Sequence, residues 1–270
     1  MSPKLYSFRL AVWGAVAELA VAELAVPVEH ISVSLADGDN FSPEYLKINP
    51  AGTVPTLVTE DGTTYYNSTD IVKYLVSVAQ RKATPGNPKT IAIVHEDRID
   101  PNVLMFALRN DDELAKAKSR FTCILIANRY NALKNYAASP EGAPYSDFYT
   151  SKFAFDKPLL DIYNDEASPS AWYAHSIEHW KRVVSFINDE LSALLPESGF
   201  IGGDEPGEDD FHLGAWLTRV VWLAGATKDP EGLKPIEKEL GGPVPPKVVK
   251  YWQAWLQRPS FQKVYEKTLH

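Results

Sequence analysis

The chain has 270 residues, 45% hydrophobic and 23% charged, with a net charge of −8. That balance gives a globular protein with core enough for one large or two smaller domains, and without a basic stripe it disfavours nucleic acid as a partner. The single cysteine, Cys123, excludes a disulfide framework or a Cys-rich zinc site, and no apolar run approaches the roughly twenty residues that span a membrane.

The N-terminus shows no positive region leading into an apolar core, so no secretory signal is read and the expected location is the cytoplasm. Residues 4–8 predict a short strand. Residues 13–25, rich in Ala and Leu and stopped by Pro27, predict a helix. Residues 28–35 alternate, with Ile31, Val33 and Leu35 on the apolar side, and predict a second strand. Ser42-Pro43 starts a short helix, with the serine at the cap and the proline at the first position.

The stretch Asn49-Pro50-Ala51-Gly52-Thr53-Val54-Pro55-Thr56-Leu57 follows. Pro50 and Gly52 break regular structure, and a strand is predicted over Thr56–Thr59. Asp61-Gly62 is a hairpin signal, so a further strand runs back through Thr63 to Tyr66. A proline entering a strand belongs at an edge or an end, which leaves the main chain of Val54 free to pair with a neighbour. Asn67-Ser68-Thr69-Asp70 then precedes the apolar-periodic Ile71, Val72, Tyr74 and Leu75, a capped helix start. A free backbone edge beside a helix N-terminus suits a small extended peptide that ends in a carboxylate.

Pro/Gly content predicts a linker over 81–88. Helices are predicted over 94–108 and 112–137, with Pro101 a kink or restart. Residues 138–171 carry several prolines and glycines together with Tyr145, Phe148, Tyr149, Phe153, Phe155 and Tyr163. They read as an irregular aromatic insertion, with or without a short helix, that either folds over the cleft between the domains or serves as a dimer contact or a cover on the outer helices. Helices follow over 173–195, from Gly207 to about Leu223, and over 248–257 and 260–269. In the second of these Asp210 stands three residues after a glycine N-cap.

The order βαβαββα and the motif over 49–75 resemble the thioredoxin-like domain of glutathione transferases, which reads roughly N-P-x-G-x-V-P-x-L, a hairpin, then E-S-x-x-I-x-x-Y-L. The resemblance, to a divergent, fungal-like class of the cytosolic type, implies an α/β thioredoxin-like N-terminal domain over 1–80. An all-α C-terminal domain follows over 89–270, holding the insertion at about 138–171. It also implies a cis Val54–Pro55 bond and a homodimer. Glutathione is the implied co-substrate, with no metal.

Binding residues carry over by position. Val54 and Pro55 face the cysteinyl part. Ser68 takes the γ-glutamyl carboxylate, with Asn67 in place of the family's acid. Asn40 and Thr53 stand at the glycine end. Family members activate the thiol with Tyr, Ser or Cys near the end of the first strand. The window Tyr6-Ser7-Phe8-Arg9-Leu10-Ala11-Val12-Trp13 has no cysteine, and no hydroxyl at the serine-type position near Arg9 or Ala11. Ser7 is the nearest hydroxyl, with Arg9 as a cationic stabiliser. Trp13, Phe106, Tyr130, Tyr145, Tyr149 and Phe153 are the candidate walls of a hydrophobic site. Two functions are implied: conjugation or cleavage of hydrophobic aromatic electrophiles by the glutathione thiolate, or ligandin-like carriage of aromatic ligands with little turnover.

Overall fold

The computed structural model describes residues 2–229 and 231–270. Its first part is a mixed four-stranded sheet of β1 (Lys4–Ser7), β2 (Glu29–Ser32), β3 (Thr56–Val58) and β4 (Thr64–Tyr65), in the spatial order β2-β1-β3-β4. β1 pairs parallel with β2 and antiparallel with β3, and β3 pairs antiparallel with β4. The parallel pair needs a crossover, which α1 (Val12–Leu24) supplies. Helices α2 (Pro43–Ile48) and α3 (Ser68–Val78) complete the βαβαββα order. Residues 13–25 are therefore a helix for the expected reason: Ala- and Leu-rich, with Ala25 in the left-handed region and Pro27 beyond it. The Val54–Pro55 bond is cis.

The rest is helical: α4 (Pro88–Val94), α5 (Pro101–Met105), α6 (Asp111–Lys118), α7 (Phe121–Ala137), α8 (Ser146–Tyr163), α9 (Ser170–Ser185), α10 (Leu191–Leu194), α11 (Glu208–Leu223), α12 (Lys234–Leu240), α13 (Pro246–Leu256) and α14 (Pro259–Val264). The architecture is a thioredoxin-like domain followed by an all-α domain. No helix among the described residues is long and apolar enough to cross a membrane.

Three sequence expectations are corrected. The helix expected over 94–108 is not one helix: Pro101 is the expected restart, as first residue of α5, with the Asp100 carboxylate accepting from Asn102 N–H, and the chain before it is a separate α4 and a 3₁₀ turn. The helix expected over 112–137 is two, α6 capped by Asn110 and α7 restarted after Arg120. The irregular insertion is not irregular. A 3₁₀ turn over Pro140–Tyr145 leads into the 18-residue α8, with Pro158 inside it. Pro158 is exposed, so the break in the hydrogen-bond ladder faces water.

Helix α11 organises the whole. Phe211, Trp216, Leu217 and Val220 are buried on it, and it packs against α1, so one apolar core runs from beneath the sheet into the helical part. Its N-terminus is fixed by Asp210, whose carboxylate accepts from the N–H groups of Ile201, Gly202 and Gly207 at 2.8–2.9 Å. Asp209 and Glu208 accept from Asn87 and Gly86 N–H, which ties the 81–88 linker down. At the other end of the linker, buried Glu23 takes Arg81, Arg258 and the Ser260 hydroxyl. The sheet and the helices are thus held in one fixed relation, and the cleft between them is a defined space.

Candidate functional site

The motif loop is built around Asn49, which is fully buried. Its Nδ2 donates to Thr53 O and Thr56 Oγ1, both at 2.9 Å, and its Oδ1 accepts from Ala51 N–H at 3.0 Å. Tyr45 adds a hydroxyl donated to Thr53 O at 2.7 Å. Asn40, also buried, donates from Nδ2 to Gly52 O at 2.6 Å. Gly52 sits at φ +62 with the Phe148 ring over it, and a Cβ there would meet Phe148 Cζ at 2.6 Å. The sequence N-P-A-G-T-V-P therefore encodes a loop clamped by two asparagines and passed closely by α8. The clamp stops before Val54. Among the described residues nothing pairs with the Val54 N–H or C=O, so its main chain is free beside the cleft.

A cavity of about 360 Å³ lies in that cleft. One wall is the motif loop, with Asn40, Phe41, Gly52, Thr53 and Val54. The second is the β1–α1 turn, Phe8 and Leu10 to Trp13. The third is helical: Met105, Phe106, Leu125, Ile126, Arg129, Lys152, Phe155, Asp156 and Arg219. Helix α1 opens onto this space uncapped. Ala11 is its N-cap without a side-chain bond, and no acid stands in its first turn. The positive end of the helix and the N–H groups of its first turn thus face the cavity unanswered.

The structure brings together Asn40, Thr53, Val54, Trp13 and Phe106, all of which line the cavity. Pro55 is buried just behind Val54. Asn67 and Ser68 lie outside the lining, at the start of α3. Asn67 is its N-cap, accepting from Asp70 N–H at 2.9 Å and donating to the Asp70 carboxylate at 2.8 Å, and Ser68 is buried at the first helical position. Ser7 is not brought to the cavity. It is buried on the other side of the turn and donates to Glu18 Oε1 at 2.7 Å, because strand alternation turns Leu5 and Ser7 the same way, under α1. Arg9 does not line the cavity either, and its charge lies by Glu18 and His270.

Of the aromatic insertion over 138–171, Phe155 lines the cavity, while Tyr145, Tyr149 and Phe153 do not. Tyr149 and Phe153 share one face of α8, continued by Tyr145 at its N-cap, and this face packs on Phe41, Leu46 and Leu133. The Tyr149 hydroxyl donates to Phe41 O at 3.0 Å, and burial pushes its pKa up to about 12. Tyr130 packs edge-on against Phe153. The next face of the same helix supplies Lys152, Phe155 and Asp156 instead. A helical reading of 146–163 separates these two stripes; an irregular reading does not.

The other residues missed are charged. Arg129 Nε lies 3.4 Å from Asp156 Oδ2, and its guanidinium covers the Phe41 ring at 4.6 Å. Burial raises the Asp156 pKa and, with the Arg129 charge, lowers that of Lys152. Arg219, on α11, is 1% exposed. It donates from Nη2 to Leu10 O and from Nη1 to Met105 Sδ at 3.3 Å. Behind Trp13, His95 stacks on the indole at 4.0 Å, and its Nε2 lies 2.9 Å from His212 Nδ1.

This sheet order, with a free main-chain edge at a cis-proline loop and an interdomain cavity, defines a thioredoxin-like domain joined to a helical one in the transferase architecture. The glutathione S-transferase N-terminal domain profile matches residues 12–78. Glutathione S-transferase 1 of Manduca sexta is 37% identical over 99 residues, covering 35% of this chain and 45% of that protein. Glutathione S-transferase Z1 of Arabidopsis thaliana is 41% identical over 73 residues, 27% and 32% of the two chains. The chain thus spans less than half the length of these curated relatives. Over its whole length the fold is that of a glutathione transferase homolog from sulfitobacter with bound glutathione (TM-score 0.55, 16% identity, 100% and 99% covered). It is also that of the beta-etherase LigF from Sphingobium sp. strain SYK-6 (TM-score 0.56, 19% identity, 99% and 100% covered). Residues 12–78 are thus similar to the N-terminal domain of glutathione S-transferases, and the whole chain shares the glutathione transferase fold.

Proposed function

We propose that the protein is a glutathione transferase that uses the glutathione thiolate on hydrophobic, aromatic electrophiles. The observation that carries this reading is the unpaired Val54 main chain, set across the cavity from the open N-terminus of α1. Glutathione laid along Val54 forms two backbone hydrogen bonds there. Its γ-glutamyl carboxylate reaches Ser68 and the N–H groups of α3, and its glycine end lies towards Asn40 and Thr53. Its sulfur then falls near Val12 and Trp13. Without a hydroxyl in the Phe8–Trp13 turn, the first-turn N–H groups of α1 stabilise the thiolate. The thiol proton leaves to water. The thiolate forms a bond to an electrophilic carbon in the chamber lined by Met105, Phe106, Ile126 and Phe155, and the leaving group departs with its bonding pair. The protein is expected to act in the cytoplasm as a homodimer.

The missing hydroxyl favours one second reading, a carrier of aromatic ligands with little turnover. Conjugation of 1-chloro-2,4-dinitrobenzene by the purified protein separates the two. Saturable, glutathione-dependent turnover supports the enzyme. Tight binding of an anilinonaphthalene dye with no turnover of this or other aromatic electrophiles supports the carrier.

A further inference from the structure

Arg219 is a buried cation without a counter-ion. It lines the cavity from α11 and is 1% exposed, and among the described residues its hydrogen bonds go to no carboxylate. Its Nη1 and Nη2 bond a thioether and a carbonyl, and its Nε has no partner. The groups around it compensate its charge only weakly, Asp100 through its field and not through an ion pair. Trp222 offers a ring face at 5.5 Å. Asp100 is turned to Asn102, and burial raises its pKa. Burial pushes the Tyr265 hydroxyl above the usual phenol range, so it is neutral, and His270, beside Arg219 and Arg9, is held neutral by burial. A bare charge in such a place is expensive, and the usual solution is pairing. The chain keeps the charge in the wall of the cavity, with the Nε donor unpartnered.

The position of the charge says which partner. Arg219 holds the carbonyl of Leu10, the residue before the N-cap of α1. The guanidinium and the positive end of α1 therefore converge on the same turn, the one from which the family's activating hydroxyl is absent. We infer that Arg219 is the fixed counter-charge for the glutathione thiolate, taking over from the helical domain the task that a hydroxyl in the first domain performs elsewhere. This inference rests on the glutathione reading above. Arg219 acts here by its field and by holding the turn, so it is a positioning residue. A neighbouring cation stabilises the ionised thiol and lowers its pKa.

The test compares two ligands that differ only at sulfur: glutathione sulfonate, anionic there, and S-methylglutathione, neutral there. Calorimetry on the wild-type protein is expected to show at least tenfold tighter binding of the sulfonate. In Arg219→Met the preference disappears, while S-methylglutathione affinity changes less than threefold; Arg219→Lys retains most of the preference. Ultraviolet absorbance of bound glutathione against pH gives a second readout on the wild-type protein alone. The thiol pKa should lie at least two units below that of free glutathione, so the idea stays testable if the Met variant misfolds. An undepressed thiol pKa, or an undiminished sulfonate preference in Arg219→Met, overturns the assignment. If neither ligand binds the wild-type protein, the glutathione reading falls and this assignment with it.

Discussion

Acid should loosen this protein through one pair of side chains. His95 and His212 meet at 2.9 Å between α4 and α11, directly behind Trp13. Burial lowers the His95 pKa to about 4. Burial, with the His95 and Lys73 charges, lowers that of His212 to about 3. Both values lie below the ordinary 6.5, so the folded state favours the neutral rings. The stability they contribute is present above pH 6.5 and lost as pH falls towards 4 and 3. Between pH 7 and 5 an unfolded histidine takes up most of a proton while these two take up little, a loss of about 2 kcal/mol each. Asp210 runs the other way. Burial raises its pKa to about 6, against three N–H donors, so its contribution falls as pH rises through that value and acidification returns about 1 kcal/mol. Comparison with a His95→Gln/His212→Gln variant removes that term. Urea unfolding followed by tryptophan fluorescence at pH 7, 6 and 5 should show the wild type losing about 2–4 kcal/mol more than the variant. Parallel pH profiles for the two proteins would refute the reasoning.

Three further outcomes follow from the geometry. Ser68→Ala should weaken glutathione binding by about 1–3 kcal/mol, since the hydroxyl is assigned to a carboxylate; unchanged affinity in calorimetry removes Ser68 from the site. Gly52→Ala places a Cβ at φ +62 and within 2.6 Å of Phe148 Cζ, and should cost about 1–3 kcal/mol of stability in urea unfolding with weaker glutathione binding; a wild-type midpoint would show that α8 does not press on the loop. Sedimentation at micromolar concentration should give a species of about twice 30.1 kDa; monomer mass alone contradicts the homodimer.

The sheet was legible because its signals are local. The Ala/Leu run, the Asp61-Gly62 hairpin and the Pro-bounded strand each dictate their own element, and the 49–75 motif specifies a loop whose clamps, Asn49 and Gly52, are in the motif itself. The same reliance on local signals misplaced 138–171. Prolines and glycines there counted against a helix, yet all but Pro158 precede or follow α8, and Pro158 tolerates its lost bond on the exposed side. Once α8 is known, the period of 3.6 sorts its aromatics: Tyr145, Tyr149 and Phe153 inward, Phe155 with Lys152 and Asp156 to the cavity. Arg219 was illegible for a different reason. An arginine in an amphipathic helix ordinarily faces water, and only the packing of α11 on all sides shows that this one does not. Ser7 is the nearest hydroxyl in sequence, but strand alternation turns it under α1 and away from the cavity.

The central claim is that glutathione lies along Val54 with its sulfur at the N-terminus of α1. A crystal structure of the protein with glutathione tests it most directly. The account predicts two hydrogen bonds between the ligand's cysteinyl main chain and Val54, the γ-glutamyl carboxylate on Ser68, and the sulfur within hydrogen-bond reach of the Val12 or Trp13 N–H. Glutathione bound away from Val54, or with its sulfur turned from that helix end, would contradict it.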